Sequence, residues 1–184
     1  MTSTRIVWRR LDVPGVEWCE VAATDDGIAI DGLALVDWEG VAHRVEYRLE
    51  LDDAARTRRV TVRDRAGAHD VELELAADGL GTWRRGEQVV VASPDAIDVD
   101  LGFSPLTNSL PIWRYDLEIG ESREIDVAWV LFPSLEVERG RQSYTRLGPL
   151  TWRYASGAFE AALEVGEDGL VERYGRYWEA VGRG

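Results

Sequence analysis

The sequence predicts an all-β protein, folded as a single domain over residues 1–184, in which a curled antiparallel sheet or open β-barrel carries few short helices. Three observations support this prediction. Apolar and polar residues alternate with a period of two, turn dipeptides recur at intervals of mostly about 8–15 residues, and no segment has a convincing 3.6-residue period. Roughly a dozen strands joined as a meander rarely stay flat, so we expect the sheet to curl.

The clearest predicted strands have one apolar and one charged face. In Val41–Leu51 the odd-numbered positions are mostly apolar, and from Arg44 onward the even-numbered positions are all charged. Val71–Leu75 repeats this pattern, and Phe159–Val165 follows it less strictly. Such alternation is typical of an antiparallel sheet with one buried face and one hydrated face.

One predicted strand differs because both of its faces are apolar. Its two faces carry Ile125, Val127, Trp129 and Leu131 on one side, and Ala128, Val130 and Phe132 on the other. We therefore expect this strand to be covered on both sides.

Turns and helices complete the predicted organisation. The predicted turns are marked by short glycine-containing sequences such as Asp26-Gly27, Glu39-Gly40, Arg65-Ala66-Gly67, Asp78-Gly79, Arg139-Gly140 and Ser156-Gly157. Short helices are predicted around Ser104–Leu110 and at Tyr174–Val181.

Composition and charge exclude several classes of function. The net charge is −13, which disfavours nucleic acid and anionic membrane surfaces as partners. The one cysteine, Cys19, excludes an internal disulfide and indicates a reducing compartment. The first residues contain no apolar segment of signal-peptide length, and no stretch is long enough to span a bilayer. We therefore expect a cytoplasmic protein.

Residues suited to metal binding or nucleophilic catalysis are scarce. The chain has only two histidines, His43 and His69, each on the apolar face of its strand and far from Cys19 in sequence. A histidine in that position is more often a hydrogen-bonded core residue than a ligand. There is also no Gly-x-Ser-x-Gly elbow and no glycine-rich phosphate loop ahead of a helix. We predict no metal, no cofactor and no catalytic nucleophile, so binding is favoured over catalysis.

The segment Ile97–Tyr115 gathers more short polar side chains between two strands than any other. Asp98 and Asp100 share one strand face, with Cα atoms about 6.6–7 Å apart. In a closed cavity, repulsion and burial would raise one pKa and create an acid/base pair; on a hydrated face both carboxylates would simply be solvated. We favour a third interpretation, in which they hydrogen-bond sugar hydroxyls or the backbone of the loop Ser104–Pro111.

Within that loop, Thr107 and Asn108 have two alternative roles. Their side chains can hydrogen-bond the loop's own backbone, as short polar residues often do, or they can contact a ligand. The sequence leaves both alternatives open.

Sequence motifs along most of the chain, from about Ile6 to Trp178, point to a known family. They are Asp98-Val-Asp100-Leu101, Pro105-Leu-Thr107-Asn108-Ser-Leu110-Pro111-Ile112 with Arg114, Ala128-Trp129, Phe132-Pro133-Ser-Leu135, Gln142-x-Tyr144 and Trp152-Arg153-Tyr154-x-Ser156. On these residues the chain resembles the bacterial putative glycolipid-binding family, formerly a domain of unknown function. The resemblance implies an open barrel similar to bacterial lipoprotein carriers, with acyl chains inside and a sugar or other polar head at its mouth.

We therefore expect non-catalytic binding of an amphipathic small molecule, such as a glycolipid, in an apolar cavity. The cavity would be walled by Val127, Trp129 and Leu131. Its polar end would be formed by Asp98, Asp100, Thr107, Asn108, Arg114 and Tyr144.

Two other functions remain open. One is a small hydrolase or isomerase that uses the Asp98/Asp100 pair. The other is a structural or partner-binding β-domain whose edge strands associate, which includes a homodimer.

Overall fold

The structure is a computed structural model that describes residues 3–67 and 69–184. Its first eight strands are β1 (Ser3–Arg10), β2 (Gly15–Thr24), β3 (Gly27–Trp38), β4 (Val41–Leu51), β5 (Thr57–Ala66), β6 (His69–Ala77), β7 (Thr82–Arg85) and β8 (Gln88–Ala92). They are followed by β9 (Asp98–Leu101), a 3₁₀ turn (Leu106–Asn108), helix α1 (Ser109–Arg114), β10 (Ser122–Val130), β11 (Val137–Arg146), β12 (Thr151–Ser156), β13 (Phe159–Val165), β14 (Val171–Tyr174) and β15 (Trp178–Arg183).

The fifteen strands form one sheet in the order β8-β7-β6-β5-β4-β3-β2-β1-β15-β14-β13-β12-β11-β10-β9. Neighbours are antiparallel, except that β9 runs parallel to β10. The edge strands β8 and β9 are not paired with each other, so the sheet does not close into a barrel. The sheet nevertheless curls. A hydrogen bond of 2.5 Å from Ser93, just after β8, to Asp126 of β10 shows that the two ends of the strand order lie close together. The predicted all-β, curled-sheet class is confirmed.

The predicted strands are confirmed wherever alternation was clear. Val41–Leu51 is strand β4, Val71–Leu75 lies within β6, and Phe159–Val165 is β13.

No helix in the described part of the chain is long and apolar enough to cross a membrane.

Two local predictions are wrong and one is displaced. Tyr174–Val181 is not a helix, because Gly175 turns the chain with φ of 49° and β15 starts at Trp178. Arg139-Gly140 is not a turn but lies within β11. A Cβ at Gly140 would lie 3.1 Å from Val127 Cγ2, so here glycine serves close packing. The helix predicted around Ser104–Leu110 begins later, as the 3₁₀ turn and then α1.

Strand β10 separates two hydrophobic clusters. Ala128 and Val130, both 0% exposed, pack into the larger cluster with residues of β1–β9. Ile125 and Val127 face the other way into a smaller cluster with β11–β14. The predicted covering of both faces is confirmed at these four residues but not at Trp129, which is 37% exposed, and β9–β10 acts as an internal wall.

Candidate functional site

A cavity of about 340 Å³ lies on the β11–β15 side of this wall. We call it the Asp100 cavity. It is lined by Asp100 and Leu101 of β9, Gly102, Ser104 and Asn108 of the following loop, Trp129 of β10, Tyr154 and Ser156 of β12, and Phe159, Tyr174 and Trp178. Five of these eleven residues are aromatic, and the segment singled out in the sequence contributes the polar side chains of Asp100, Ser104 and Asn108.

Asp100 is the one carboxylate among the described residues that line this cavity. Gln142 of β11 donates a hydrogen bond to its Oδ2. Burial raises the pKa of Asp100 to about 6, while hydrogen bonds from Gln142 and Thr107 oppose the rise. Since a carboxylate offers about four lone-pair positions, two protein donors leave room for donors from a ligand.

Asp98 lies outside the lining and has a different partner. It is 0% exposed and forms an ion pair with Arg114 of α1. Burial raises the pKa of Asp98, and the Arg114 guanidinium opposes that rise. The guanidinium also lies 4.1 Å from the centroid of the Tyr115 ring. A hydrated position for Asp98, one of the alternatives left open by the sequence, is therefore wrong, whereas Asp100 is half-buried and lines the cavity.

The loop residues support the cavity through the backbone. The Thr107 hydroxyl accepts a hydrogen bond from Leu101 N at 3.2 Å, and Asn108 Nδ2 donates to Pro105 O at 3.3 Å. The Tyr144 hydroxyl is within donating distance of Asn108 Oδ1 at 3.1 Å. Of the predicted site residues, only Asp100, Asn108 and Trp129 line the cavity; Asp98, Thr107, Arg114 and Tyr144 lie behind it.

Aromatic rings form the remaining walls. Tyr154 meets both Phe159 and Tyr174 edge to face, each at a centroid distance of 5.9 Å. Burial raises the pKa of Tyr154 and of Tyr174, so both phenols stay protonated and can donate. Trp129 is 37% exposed and stands at the open side of the cavity. Val127, predicted as a wall, is instead buried in the smaller cluster, and Leu131 is absent from the lining.

Sequence reasoning missed a buried carboxylate next to the cavity. Glu17 of β2 is 0% exposed, and its Oε1 accepts hydrogen bonds of 2.6 Å from Tyr47 and from Ser104, which lines the cavity. Its Oε2 has no partner among the described residues. Burial raises the pKa of Glu17 to about 7 against the hydrogen bonds from Ser104 and Tyr47 and the charge of Arg10.

A glycine makes this contact geometrically feasible. Tyr47 on β4 must reach across β3 to meet Glu17 on β2, and Gly32 lies between them. A Cβ at Gly32 would lie 2.0 Å from Tyr47 Cζ, so only glycine leaves space for the ring. The sequence contains Gly32 and Tyr47, but their pairing across β3 and β4 follows only from the strand register.

Metal binding has no counterpart in this geometry. Within residues 3–67 and 69–184, no three His, Cys, Asp or Glu side chains are grouped so that they could hold a metal ion.

Comparisons with known proteins agree with the resemblance seen in the sequence. A family model described as putative glycolipid-binding matches residues 5–180. The crystal structure of a DUF1089 family protein from Pseudomonas aeruginosa, at 1.80 Å resolution, superposes with a TM-score of 0.77. It shares 32% sequence identity, over 86% of this chain and 88% of that chain. No curated protein has a significant match to the sequence.

Proposed function

We propose that this chain, which belongs to the putative glycolipid-binding family, binds a glycolipid through its sugar headgroup in the Asp100 cavity. The observation that carries the proposal is the position of one carboxylate, Asp100, among indole and phenol rings. Binding rather than turnover is the proposed activity.

The chemistry of the lining suits a sugar. A pyranose ring has C–H faces that pack against aromatic rings and hydroxyl groups that both donate and accept hydrogen bonds. Trp129, Tyr174 and Trp178 offer ring faces together with N–H and O–H donors, and Asp100 supplies the acceptor. Few other small groups use all of these features at once.

The size of the cavity indicates which part of a glycolipid it holds. A volume of about 340 Å³ lies at the small end of ligand pockets, where roughly 300–1,000 Å³ is common. The interior beside it is filled, since Leu101, Phe103 and Leu110 are at most 1% exposed. We therefore place the headgroup in the cavity and the apolar tail along its half-exposed rim at Trp129, rather than among the core side chains.

Hydrolysis by the Asp98/Asp100 pair is the less favoured function. Glycoside hydrolysis ordinarily uses two carboxyl groups that flank the scissile bond. Asp98 is bound by Arg114 and lies outside the lining, which leaves Asp100 without a second carboxyl group.

Calorimetric titration with octyl β-D-glucoside below its micellar concentration tests the proposal. We expect saturable binding, with weaker binding of 1-octanol and of free glucose, because each lacks half of the ligand. Replacing Trp129 with alanine should weaken binding at least tenfold. The matched control is Trp18→Ala, because Trp18 is also 37% exposed and lies outside the cavity lining.

Two results would contradict the proposal. One is wild-type protein that binds no alkyl glycoside across a panel of sugars. The other is equal loss of binding in the Trp129→Ala and Trp18→Ala variants, which would indicate a nonspecific tryptophan effect.

A further inference from the structure

A second cavity, of about 330 Å³, lies apart from the proposed glycolipid site. We call it the His43 cavity. It is lined by Trp38, Glu39, Val41 and His43 of the β3–β4 hairpin, Asp64 and Ala66 of β5, Val71 of β6 and Pro133, which follows β10. Its walls are mainly apolar, and its polar groups are a histidine and two carboxylates.

His43 and Asp64 form a buried pair in this lining. The residues are 8% and 3% exposed, and His43 Nδ1 lies 2.7 Å from Asp64 Oδ2. Because a carboxylate oxygen accepts, the contact is a hydrogen bond from the Nδ1–H of His43 to Asp64. The ring of Phe132 meets the imidazole at a centroid distance of 4.9 Å and fixes its plane.

The buried atom that this pair leaves without a partner is an acceptor. Asp64 Oδ1 is buried and has no hydrogen-bond partner among the described residues. In the neutral imidazole with its proton on Nδ1, the other ring nitrogen, Nε2, carries a lone pair. A buried carboxylate oxygen without a donor is unfavourable, so this cavity is chemically incomplete without a donor from elsewhere.

Aromatic side chains and one arginine separate the two cavities. The guanidinium carbon of Arg10 lies 5.0 Å from the ring centroid of Trp38, in the His43 cavity, and 5.3 Å from that of Trp178, in the Asp100 cavity. Phe103 and Phe132 are in contact on the same divide, with centroids 5.5 Å apart. A ligand in one cavity therefore does not fill the other.

We propose that the His43 cavity binds a small primary amine that carries an apolar group. Its ammonium would donate to His43 Nε2 and, once the carboxylate turns Oδ1 toward the cavity, to Asp64, and its positive charge would be balanced by Asp64 and by Glu39 at the rim. Val41, Val71 and Pro133 would cover the apolar group.

Other ligand classes fit less well. An anion would face two carboxylates in a chain whose net charge is −13. An alcohol has one O–H donor for two acceptors, whereas an ammonium has three N–H donors. The balance of donors and charge favours the amine.

Titration with three six-carbon probes tests this proposal. We expect n-hexylammonium to bind saturably with one molecule per chain, hexan-1-ol to bind at least tenfold more weakly, and hexanoate not to bind. Chemical-shift mapping should place the contacts near His43 and Val71. Absence of saturable hexylammonium binding, or equal affinity for hexan-1-ol, would overturn the proposed ligand class.

Variants locate the site. Asp64→Asn should weaken hexylammonium binding at least tenfold, whereas Asp31→Asn, the same change at an exposed ion pair with Arg48, should leave it unchanged. Val71→Trp fills the cavity and keeps both members of the His43–Asp64 pair, and Val71 is 36% exposed, so this variant keeps the test available if Asp64→Asn does not fold. Wild-type affinity in folded Val71→Trp would place binding elsewhere and overturn the assignment.

Discussion

The two cavities are nearly equal in size, about 340 and 330 Å³, yet their polar groups differ in kind. In the Asp100 cavity the carboxylate accepts from the amide of Gln142, and aromatic N–H and O–H donors surround it. In the His43 cavity the carboxylate is paired with an imidazole, and its other oxygen, Asp64 Oδ1, is an acceptor without a partner among the described residues.

This difference teaches that the neighbour of a buried carboxylate determines the ligand that the carboxylate suits. A lining with both donors and acceptors matches hydroxyl groups, which do both. A lining of acceptors matches a group that only donates, such as an ammonium. The wall formed by β9–β10 and the aromatic contacts keeps the two chemistries apart.

The largest expected effect comes from breaking the Asp98–Arg114 ion pair, which lies behind the Asp100 cavity. Arg114→Ala leaves Asp98, which is 0% exposed, without its partner, and loss of one member of a buried pair costs about 3–5 kcal/mol in unfolding free energy. Urea denaturation measures this loss. Arg48→Ala removes an exposed partner of Asp31 and should cost about 1 kcal/mol or less.

In the comparison of cavities, Arg114→Ala should weaken octyl glucoside binding and leave hexylammonium binding unchanged. If Arg114→Ala and Arg48→Ala lowered the free energy of unfolding equally, the buried ion pair would contribute no more to stability than the exposed one.

Glu17 should make stability depend on pH. Its pKa in the folded protein is raised from 4.5 to about 7, so between these values the folded state binds more protons than the unfolded state. The contribution is fully present below about pH 4.5 and is lost as the pH rises through about 7, with a total of about 3 kcal/mol.

Urea denaturation between pH 4 and pH 8 (roughly the window of this linkage) should show a steeper decline for wild type than for Glu17→Gln. Parallel curves would contradict the raised pKa of Glu17. Asp100→Asn offers a comparison, because the pKa of Asp100 is raised to about 6 and its contribution is lost over a lower range.

Gly32→Ala should disturb the boundary between the cavities. The added Cβ would lie 2.0 Å from Tyr47 Cζ and displace a ring that contacts both Glu17 and Phe103. We expect a loss of about 1–3 kcal/mol, as for other overpacked cores, measured by thermal unfolding.

The matched control is Gly182→Ala on β15. A Cβ there would lie 3.8 Å from Val7 Cβ, an ordinary contact, so stability should change little. Equal losses in both variants would show that Tyr47 does not require the space above Gly32.

The smallest expected effect is that of Tyr144→Phe. It removes the hydroxyl that lies 3.1 Å from Asn108 Oδ1, and a buried hydrogen bond contributes about 1 kcal/mol. Thermal unfolding should show this loss, together with a modest loss of octyl glucoside affinity because Asn108 lines the Asp100 cavity. Unchanged stability and affinity would remove Tyr144 from the supporting network.

Strand prediction succeeded where apolar residues are buried and charged residues are exposed. In β4 the alternation in Val41–Leu51 matched the buried and exposed faces that the sheet imposes. Residue type does not indicate the environment in β2, for which no face was predicted: Val16 and Trp18 are 39% and 37% exposed while Glu17 between them is buried. Hydropathy could not indicate this inversion, since it depends on Tyr47 and Ser104, distant in sequence.

The candidate site was predicted in part for the same reason. The segment Ile97–Tyr115 does supply the acidic part of the cavity, because its residues are neighbours in the chain. The aromatic walls at Tyr154, Phe159 and Tyr174 come from strands whose proximity depends on the curl of the sheet. His43 was predicted as a hydrogen-bonded core residue, and it is one, but its partner Asp64 follows only from strand register. The His69 side chain lies outside the described residues.

The most direct test of the account is whether the two cavities bind their ligands independently. Hexylammonium should be titrated into protein saturated with octyl β-D-glucoside and into free protein, with amide chemical shifts recorded in both. We expect both ligands on the same chain, affinities changed by less than about twofold, and shifts clustered near His43 for one ligand and near Trp129 for the other. Competition between the ligands, or shifts that coincide, would contradict the existence of two chemically distinct sites.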